Sequence, residues 1–312
     1  MANQTRGGIE FLQAPIHAVS VIIPCKDEEN AIHQTIAGIQ EAFRESDLDY
    51  EIIVVDDGSK DKTQERALEV GARVLVHEIN MGYGNSLMDG IRISRYPVVA
   101  MLDADGTYDP AELPEMIHAL SRHDMVVGQR LWTPENTSLT GRIMRKLLYY
   151  VILMLSGVAA PDFNSGFRVF HKHNVLDYRG LLCPTFSFTT TLTVLFLQTS
   201  YSVLFKPIEY SKRIGRSKVN YFRDALRTFN YIFAISSVLR PFRIYLTLAL
   251  VAIFLNALIF FVLFLFPFSI SVQLALHCLV SVPLLIVSFS MSTFVNSRIY
   301  YRYLQKGRID LE

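Results

Sequence analysis

Short apolar runs alternate with amphipathic stretches along the first half of the chain. The apolar runs are rich in β-branched residues, which is typical of strands that are buried on both faces of a sheet. Between them, apolar residues recur every three or four positions, which predicts helices. This alternation predicts an α/β fold in which a mostly parallel sheet carries helices on both faces. The predicted strands are residues 18–24, 50–55, 73–77, 96–100 and 124–128, and the predicted helices are 31–43, 62–70, 82–94 and one that begins at Pro110.

The second half of the chain has long apolar stretches with basic flanks. Two runs, 244–266 and 270–295, are each about as long as a membrane-spanning helix. The stretch 141–158 has a basic end and an apolar remainder too short to span, and 219–241 mixes aromatic with basic residues. Both stretches are typical of helices that lie along a membrane interface. For 141–158, a helix in the protein core is the alternative.

These patterns predict the organisation of the whole chain. A globular domain is followed by interfacial helices and a two-helix transmembrane hairpin, with interfacial helix 141–158 inserted in the domain. Basic residues flank the outer ends of the hairpin, and the turn between its helices has no charge. Because cytoplasmic flanks are rich in Lys and Arg, we expect both termini and the globular domain in the cytoplasm of a bacterial inner membrane or its equivalent. The predicted segments are a tail 1–17, the domain 18–218, the juxtamembrane helices 219–241, the hairpin 242–297 and a tail 298–312.

The composition of the chain narrows the class of protein. Hydrophobic residues make up 51% of the 312 residues, which is high for a soluble enzyme and supports a membrane part. The formal net charge of +1 argues against nucleic acid as a partner, because nucleic-acid binding proteins carry a basic stripe. The three cysteines are far apart and lack the spacing of metal ligands, so we expect free thiols.

Acidic residues follow three of the predicted strands. They are Asp27–Glu29, Asp56 with Asp57, and Asp103 with Asp105. Because the carboxyl ends of parallel strands share one edge of a sheet, we expect these clusters to face one another. Helix capping is the simpler explanation for any one cluster. Three clusters on one edge would repel one another, which a bound cation or a donor-rich base or sugar would offset. Mg²⁺ and Mn²⁺ are the candidate cations, because they prefer carboxylate and phosphate oxygens.

The strand ends carry three recognisable motifs, which are Val21–Pro24 with Glu28–Asn30, Val54–Ser59 and Asp103–Asp105. These motifs resemble those of family 2 glycosyltransferases, which have the Rossmann-like GT-A fold. Further motifs follow at Asn80–Gly84, Val127–Arg130, Asp162–Arg168 and Pro207–Tyr210 with Arg213–Lys218. They resemble a narrower group, the polyprenyl-phosphate glycosyltransferases, which includes dolichol-phosphate mannose synthase and undecaprenyl-phosphate glycosyltransferases.

The resemblance implies a nucleotide-sugar site that takes a UDP- or GDP-sugar. Asp57 is expected to accept a hydrogen bond from the base, and Asp103 to lie by the ribose. Asp105, with Asp103 beside it, is expected to hold Mg²⁺ or Mn²⁺ on the diphosphate. Many relatives have Leu-Gln where this chain has Gly106 and Thr107, so a metal contact from Thr107 stays open. The residues expected to bind the nucleotide sugar are Pro24, Lys26, Glu28, Asp57, Asp103, Asp105, Arg213 and Lys218.

The resemblance also implies transfer to undecaprenyl or dolichyl phosphate, with inversion at the sugar. A phosphate monoester is mostly dianionic at neutral pH, because its second pKa is about 6, so it scarcely needs a general base. The expected catalytic residues are Asp162, Arg168 and Arg130, with Asp162 orienting or balancing charge first and acting as a base second. The lipid phosphate is expected to bind Arg142, Arg145 and Arg168.

Two other functions stay open. A catalytically inactive membrane scaffold or lipid-binding protein could keep the fold, although the presence of Asp105 and of Arg213–Lys218 argues against it. A processive polysaccharide synthase would carry Gln-x-x-Arg-Trp and more spans, whereas Gln129–Trp132 has a different spacing. Membrane lipids are expected partners, and a homo-oligomer is compatible with the sequence.

Overall fold

The computed structural model describes residues 16–131, 139–211 and 221–265. The chain forms two compact units. Among the described residues, the first unit comprises those up to Lys146 together with those from Ala160 to Thr228, and it contains the sheet. The second unit comprises Leu147–Ala159 together with the described residues from Phe229 to Leu265.

A seven-stranded sheet organises the first unit. Its strands are β1 Ala18–Cys25, β2 Asp49–Asp56, β3 Arg73–Val76, β4 Val98–Met101, β5 Met125–Arg130, β6 Arg168–His171 and β7 Val203–Ile208. Their order in the sheet is β3-β2-β1-β4-β6-β5-β7. All neighbours pair in parallel except β6, which is antiparallel to β4 and β5. The predicted mostly parallel sheet is therefore confirmed, with β6 and β7 as strands that the pattern does not predict.

Helices cover both faces of this sheet, as predicted. Among the described residues of both units, the helices are α1 Ile32–Phe43, α2 Thr63–Glu69, α3 Tyr83–Ile93, α4 Leu113–Leu120, α5 Leu139–Ser156, α6 Lys172–Leu176, α7 Phe188–Gln198, α8 Tyr221–Leu239 and α9 Pro241–Leu265, and those that lie on the sheet belong to the first unit. On one face, Val21 and Ile23 share a buried cluster with residues of α1 and α4. On the other face, Gly90 of α3 packs so closely on Ile22 that a Cβ would lie 2.6 Å from its Cγ2.

The order of the strands brings three loops to one edge of the sheet. Because β2, β1 and β4 are adjacent and parallel, the loops that follow them lie at the same carboxyl edge. After β4, the carboxylate of Asp109 accepts a hydrogen bond from the backbone N–H of Ala111 (3.0 Å) and caps the 3-10 turn Pro110–Glu112. The cap with Pro110 at the first helical position is as the sequence predicts.

In the second unit, the end of α5 packs against the start of α9. The guanidinium of Arg243 donates to the carbonyl oxygens of Leu153 (3.1 Å) and Met154 (3.3 Å). Carbonyls in the last turn of a helix have no helical partner, so Arg243 caps α5. Gly157 ends this turn with a φ of +72°, and a Cβ there would lie 2.6 Å from Arg243 Nε.

Helix α9 has the length and composition of a membrane span. Over Pro241–Leu263 its mean hydropathy is 2.8, only 6% of it is buried, and no second helix of this kind is found in the part of the chain that the structure describes. It coincides with the first predicted span, 244–266. The second predicted span, 270–295, lies outside the described residues, so the two-helix hairpin stays a prediction. Helices α5 and α8 coincide with the two predicted interfacial segments.

Candidate active site

Asp105 lies in the loop after β4 and is 5% exposed. Its Oδ1 accepts hydrogen bonds from the backbone N–H (3.2 Å) and the hydroxyl (2.6 Å) of Thr107. Gly106, with a φ of +71°, makes the turn that brings Thr107 back toward this carboxylate. The two bonds fix the side chain of Asp105.

Asp103 lies two residues earlier, at the end of the same strand. Its Oδ1 accepts a hydrogen bond from the hydroxyl of Tyr83, the first residue of α3, at 2.8 Å. It also faces Gly166, where a Cβ would lie 2.5 Å from Oδ2. The hydroxyl of Tyr108 accepts a hydrogen bond from the backbone N–H of Gly166 (2.8 Å). Tyr83 and Gly166 therefore contact the Asp103 carboxylate, and Tyr108 holds Gly166 in place.

Asp57, at the end of β2, holds the loop that precedes α3. Its Oδ1 accepts a hydrogen bond from the backbone N–H of Met81 (2.6 Å) and lies 3.0 Å from Nδ1 of His77. Its Oδ2 accepts a hydrogen bond from the backbone N–H of Gly82 (2.8 Å). Nε2 of His77 lies 3.4 Å from Oδ2 of Asp89. In the structure, Asp57 therefore accepts hydrogen bonds from the protein itself, whereas the resemblance implies a hydrogen bond from a nucleobase.

The acidic residues after β1 join two loops. The backbone N–H of Asp27 donates to the hydroxyl of Ser59, and Oδ1 of Asp27 accepts from the backbone N–H of Lys60, both at 2.8 Å. The backbone N–H of Glu28 donates to the hydroxyl of Thr63 (2.8 Å). These bonds tie the loop after β1 to the loop after β2. The carboxyl edge of the sheet therefore has a cross-linked rim.

Asp162 and Arg130 form a bidentate ion pair beneath the ring of Tyr210. Nε of Arg130 donates to Oδ2, and Nη2 to Oδ1, both at 2.8 Å. The Tyr210 ring centre lies 5.3 Å from Cζ of Arg130. Burial opposes ionisation of Asp162, but the hydrogen bonds and charge of Arg130 outweigh it and lower the pKa of the carboxyl. A carboxylate with a lowered pKa is a weak base, so this geometry favours charge balance as the role of Asp162.

Arg168 does not lie where a lipid phosphate could reach it, which corrects the expectation from the sequence. The side chain is fully buried in β6. Its guanidinium donates to the carbonyl oxygens of Ser165 (2.8 Å) and Phe163 (2.9 Å) and to the hydroxyl of Thr193 (2.8 Å). Burial lowers the pKa of Arg168 to about 10, so the guanidinium stays cationic at neutral pH. It therefore joins the 163–165 segment to α7.

The other predicted residues fall into three groups. Pro24 of β1 pairs with Val55 of β2, and Lys26 comes directly after the last residue of β1. Both residues therefore lie at the carboxyl edge of the sheet with the acidic residues. Arg142 is exposed on α5, the helix that also carries Arg145. Arg213 and Lys218 lie outside the described residues.

The family of the chain follows from comparison with known proteins. Residues 20–178, just over half of the chain, match the family described as "Glycosyl transferase family 2". The chain belongs to this family. It also has the fold of a solved member of the GT-A class, glucosyl-3-phosphoglycerate synthase from Mycobacterium tuberculosis in complex with Mn²⁺, UDP and phosphoglyceric acid. That match has a TM-score of 0.54 at 19% identity and covers 71% of this chain and 78% of that one.

Curated relatives include two proteins named as sugar transferases. The chain is 30% identical over 164 residues to an undecaprenyl-phosphate 4-deoxy-4-formamido-L-arabinose transferase of Pseudomonas fluorescens (strain Pf0-1), covering 51% of this chain and 48% of that protein. It is 29% identical over 218 residues to the low-salt glycan biosynthesis hexosyltransferase Agl6 of Haloferax volcanii, covering 67% and 51%. The chain spans about half the length of the first of these curated relatives.

The acidic edge of this family 2 chain fits a divalent cation that also binds substrate. No group of three or more His, Cys, Asp or Glu side chains that could hold a metal is found among the described residues. Mg²⁺ and similar ions, however, are held at such sites by one or two carboxylates together with substrate phosphates. Asp105, oriented by Thr107, and Asp103 supply such a pair of oxygen ligands.

The roles of Thr107, Tyr83 and Gly166 are not evident from the sequence pattern. Tyr83 and Gly166 lie within motifs that carry the family resemblance, so the motifs mark the positions without giving their function. Thr107 replaces the Gln of many relatives, and the structure makes it a partner of Asp105. A hydroxyl two residues after a carboxylate is the local signal for such a bond.

Proposed function

We propose that this chain is a membrane-bound glycosyltransferase that transfers a sugar from a UDP- or GDP-sugar to a polyprenyl phosphate. The observation that carries the proposal is the acidic carboxyl edge of a family 2 sheet, where Thr107 and Tyr83 orient Asp105 and Asp103. The printed name of one relative, an undecaprenyl-phosphate sugar transferase, supports the class of acceptor. A UDP-bound structure of the same fold supports the class of donor.

The donor is bound at the edge where β1, β2 and β4 end. Pro24, Lys26 and Glu28 line the nucleoside side, and Asp57 shapes that side through the loop Met81–Gly82 that it holds. A Mg²⁺ or Mn²⁺ ion, when bound to Asp105 and Asp103, neutralises charge on the diphosphate. Arg213 and Lys218, by resemblance, stabilise the leaving group as its charge develops.

The acceptor brings its own negative charge. Because a phosphate monoester is mostly dianionic at neutral pH, it attacks the sugar without a tuned base, and inversion at the sugar follows from a single displacement. Within the sheet, we assign binding of the acceptor phosphate to the guanidinium of Arg130, whose charge Asp162 balances. On α5, the exposed Arg142 and its neighbour Arg145 in sequence provide cations for a phosphate at the lipid surface.

The proposed orientation places the catalytic unit on the cytoplasmic side, with both termini there. Arg240 and Arg243 lie at the start of α9, and the positive-inside rule assigns this end to the cytoplasm. Nucleotide sugars are cytoplasmic metabolites, which agrees with this side. A multi-pass arrangement further requires that residues 270–295 form the second span.

An extraction assay tests the function. Membranes that contain the full chain are incubated with radiolabelled UDP- or GDP-sugars and polyprenyl phosphate, and label is counted in the organic phase. We expect label that depends on the acceptor, is lost in EDTA and returns with Mn²⁺ or Mg²⁺. The variant Asp105→Asn should lose about a hundredfold or more in rate, since it removes charge stabilisation of the transition state.

A matched control separates the loss of the Asp105 carboxylate from a general effect of substitution in this loop. Asp109 is an exposed carboxylate of the same loop, and an Asn there can still cap the turn. Asp109→Asn should therefore keep its rate. Full activity of wild-type membranes in EDTA would remove the metal role, and no extractable label with any donor would favour the inactive scaffold.

A further inference from the structure

The carboxylate of Asp103 has two close neighbours, the Tyr83 hydroxyl and the backbone of Gly166. The Tyr83 hydroxyl donates to Oδ1 at 2.8 Å. The Cα of Gly166 packs against the carboxylate, where an added Cβ would lie 2.5 Å from Oδ2 and 2.8 Å from Cγ. Hydrogen bonds to a charged acceptor are stronger than neutral ones, so Tyr83 contributes more than a packing contact. Together these contacts restrict the carboxylate to one orientation.

Tyr83 is itself fixed by the start of α3. Gly82, directly before it, has a φ of +98° and donates its backbone N–H to Asp57. Gly84, directly after it, packs against the backbone of Pro184, 2.6 Å from where a Cβ would lie. The hydroxyl therefore reaches Asp103 from a backbone that is anchored on both sides.

Tyr108 fixes Gly166, the other close neighbour of this carboxylate. Its hydroxyl accepts a hydrogen bond from the backbone N–H of Gly166, and its ring packs on Phe167 at a centroid distance of 5.4 Å. Tyr108 belongs to the loop that carries Asp103 and Asp105. This contact joins that loop to the 163–168 segment and sets the distance between Gly166 and Asp103.

We propose that Tyr83 is a positioning residue of this enzyme, whose hydroxyl orients Asp103 for the metal-bound nucleoside diphosphate. This proposal rests on the proposed function, since it assigns Asp103 to the donor complex. A ligand that is already oriented loses less conformational freedom when a cation and its diphosphate bind. The loss of the hydroxyl should therefore weaken metal-dependent nucleotide binding while the fold persists.

Calorimetric titration of the full chain in detergent tests this role. UDP and GDP are each titrated at a series of Mn²⁺ concentrations into wild type, Tyr83→Phe and the control Tyr50→Phe. The ring of Tyr50 stacks on that of Phe43, and Tyr50 lies at the start of β2, at the edge of the sheet away from the candidate site. For Tyr83→Phe we expect the Mn²⁺ concentration that gives half-maximal nucleotide binding to rise about ten- to hundredfold. Tyr50→Phe should match wild type.

A double-mutant cycle shows whether the effect acts through Asp103. In the Asp103→Asn background, Tyr83→Phe should change the Mn²⁺ dependence by less than about twofold, because its charged partner is gone. An equal effect in both backgrounds would mean a general structural role and would overturn the proposal. So would a Tyr83→Phe titration that coincides with wild type.

The same titration separates this proposal from the proposed function. A wild-type chain that binds UDP or GDP only with Mn²⁺ supports the function, whatever Tyr83→Phe then does. A wild-type chain that binds neither nucleotide at any Mn²⁺ concentration overturns the function and this proposal together. Binding by wild type with no change in Tyr83→Phe overturns the proposal alone.

Discussion

The carboxylates at the candidate site accept hydrogen bonds from donors of several chemical types. Backbone N–H groups hold Asp57, a threonine hydroxyl and backbone N–H hold Asp105, a phenol holds Asp103 and a guanidinium holds Asp162. Hydrogen bonds to the charged form stabilise it, so these partners offset the mutual repulsion of acids on one edge. They also orient the carboxylates.

The ion pair between Asp162 and Arg130 gives a prediction about stability and pH. Asp162→Asn leaves the Arg130 charge buried without its counter-charge, which should cost about 3–5 kcal/mol of unfolding free energy. The pKa of Asp162 is lowered in the fold, because Arg130 outweighs the opposing effect of burial. Asp162 therefore stabilises the folded protein fully at a pH above about 3.9, the pKa of an aspartate in the unfolded chain. This stabilisation is lost as the pH falls through the lower pKa that Asp162 has in the folded protein.

Thermal unfolding at neutral and acidic pH measures both effects. The Asp162→Asn variant should melt well below wild type at pH 7, and the gap should narrow toward pH 3. Asp177→Asn, at an exposed carboxylate, is the control and should follow wild type at both values. A gap that is equally wide at pH 3 and pH 7 would contradict the assignment of the effect to ionised Asp162.

Residue roles could be predicted from the sequence only where a motif implies them. The positions of Asp103 and Asp105 after a buried strand follow from the apolar pattern and the aspartates behind it. The burial of Arg168 could not be predicted, because it depends on carbonyls of the 163–165 segment and on Thr193, which is distant in sequence. Arginine is seldom fully buried, so an exposed role is the default expectation.

At the scale of elements, α3 connects the carboxyl edge of the sheet to the loop Cys183–Thr185. The backbone N–H of Asn85 donates to the carbonyl oxygen of Pro184 (2.9 Å), and Gly84 leaves no room for a side chain there. A Cβ at Gly84 would overlap the Cys183 carbonyl oxygen and lie 2.9 Å from the backbone nitrogen of Thr185. The start of α3, and Tyr83 with it, is therefore set by this contact.

Gly84→Ala should destabilise the protein even though alanine favours helices. The helix propensity gain is about 1 kcal/mol, whereas a Cβ against rigid backbone costs typically 1–3 kcal/mol and here meets three backbone atoms. We therefore expect a lower melting temperature and weaker nucleotide binding. Gly180→Ala is the control, because nothing lies within 4 Å of its added Cβ. Equal melting of the two variants would contradict this packing.

The elements that the pattern predicts well are those buried on both faces. Strands β1 and β2 are continuous apolar runs, and the structure places their ends within one residue of the prediction. Strand β6 is only four residues long and begins with Arg168, and β7 is an edge strand that contains Lys206 and Pro207. Neither gives a period or a run that marks a strand, since edge strands tolerate Pro and charge.

At the scale of the whole molecule, sequence and structure both give an α/β unit and, later in the chain, long apolar helices. Membership of glycosyl transferase family 2 accounts for residues 20–178, and the apolar helices lie largely outside that range. The length and hydropathy of α9 can be predicted from the sequence, because both depend only on residues within the helix itself. The capping of α5 by Arg243 is not, because it joins residues about ninety positions apart.

The last prediction concerns α9 as a membrane anchor. Leu250 and Leu258 are 57% and 49% exposed on this helix, as lipid-facing side chains would be. An arginine near the centre of a span costs about 2.5–3.5 kcal/mol on an insertion scale where leucine is favourable, so two should abolish insertion. In a chain that ends at Leu265, Leu250→Arg with Leu258→Arg should move the protein from the membrane pellet to the supernatant after alkaline carbonate extraction. Leu68→Arg with Leu131→Arg, at equally exposed leucines of the first unit, should stay in the pellet. If the α9 variant also stays, α9 lies on the membrane or elsewhere and does not anchor this chain by spanning the membrane.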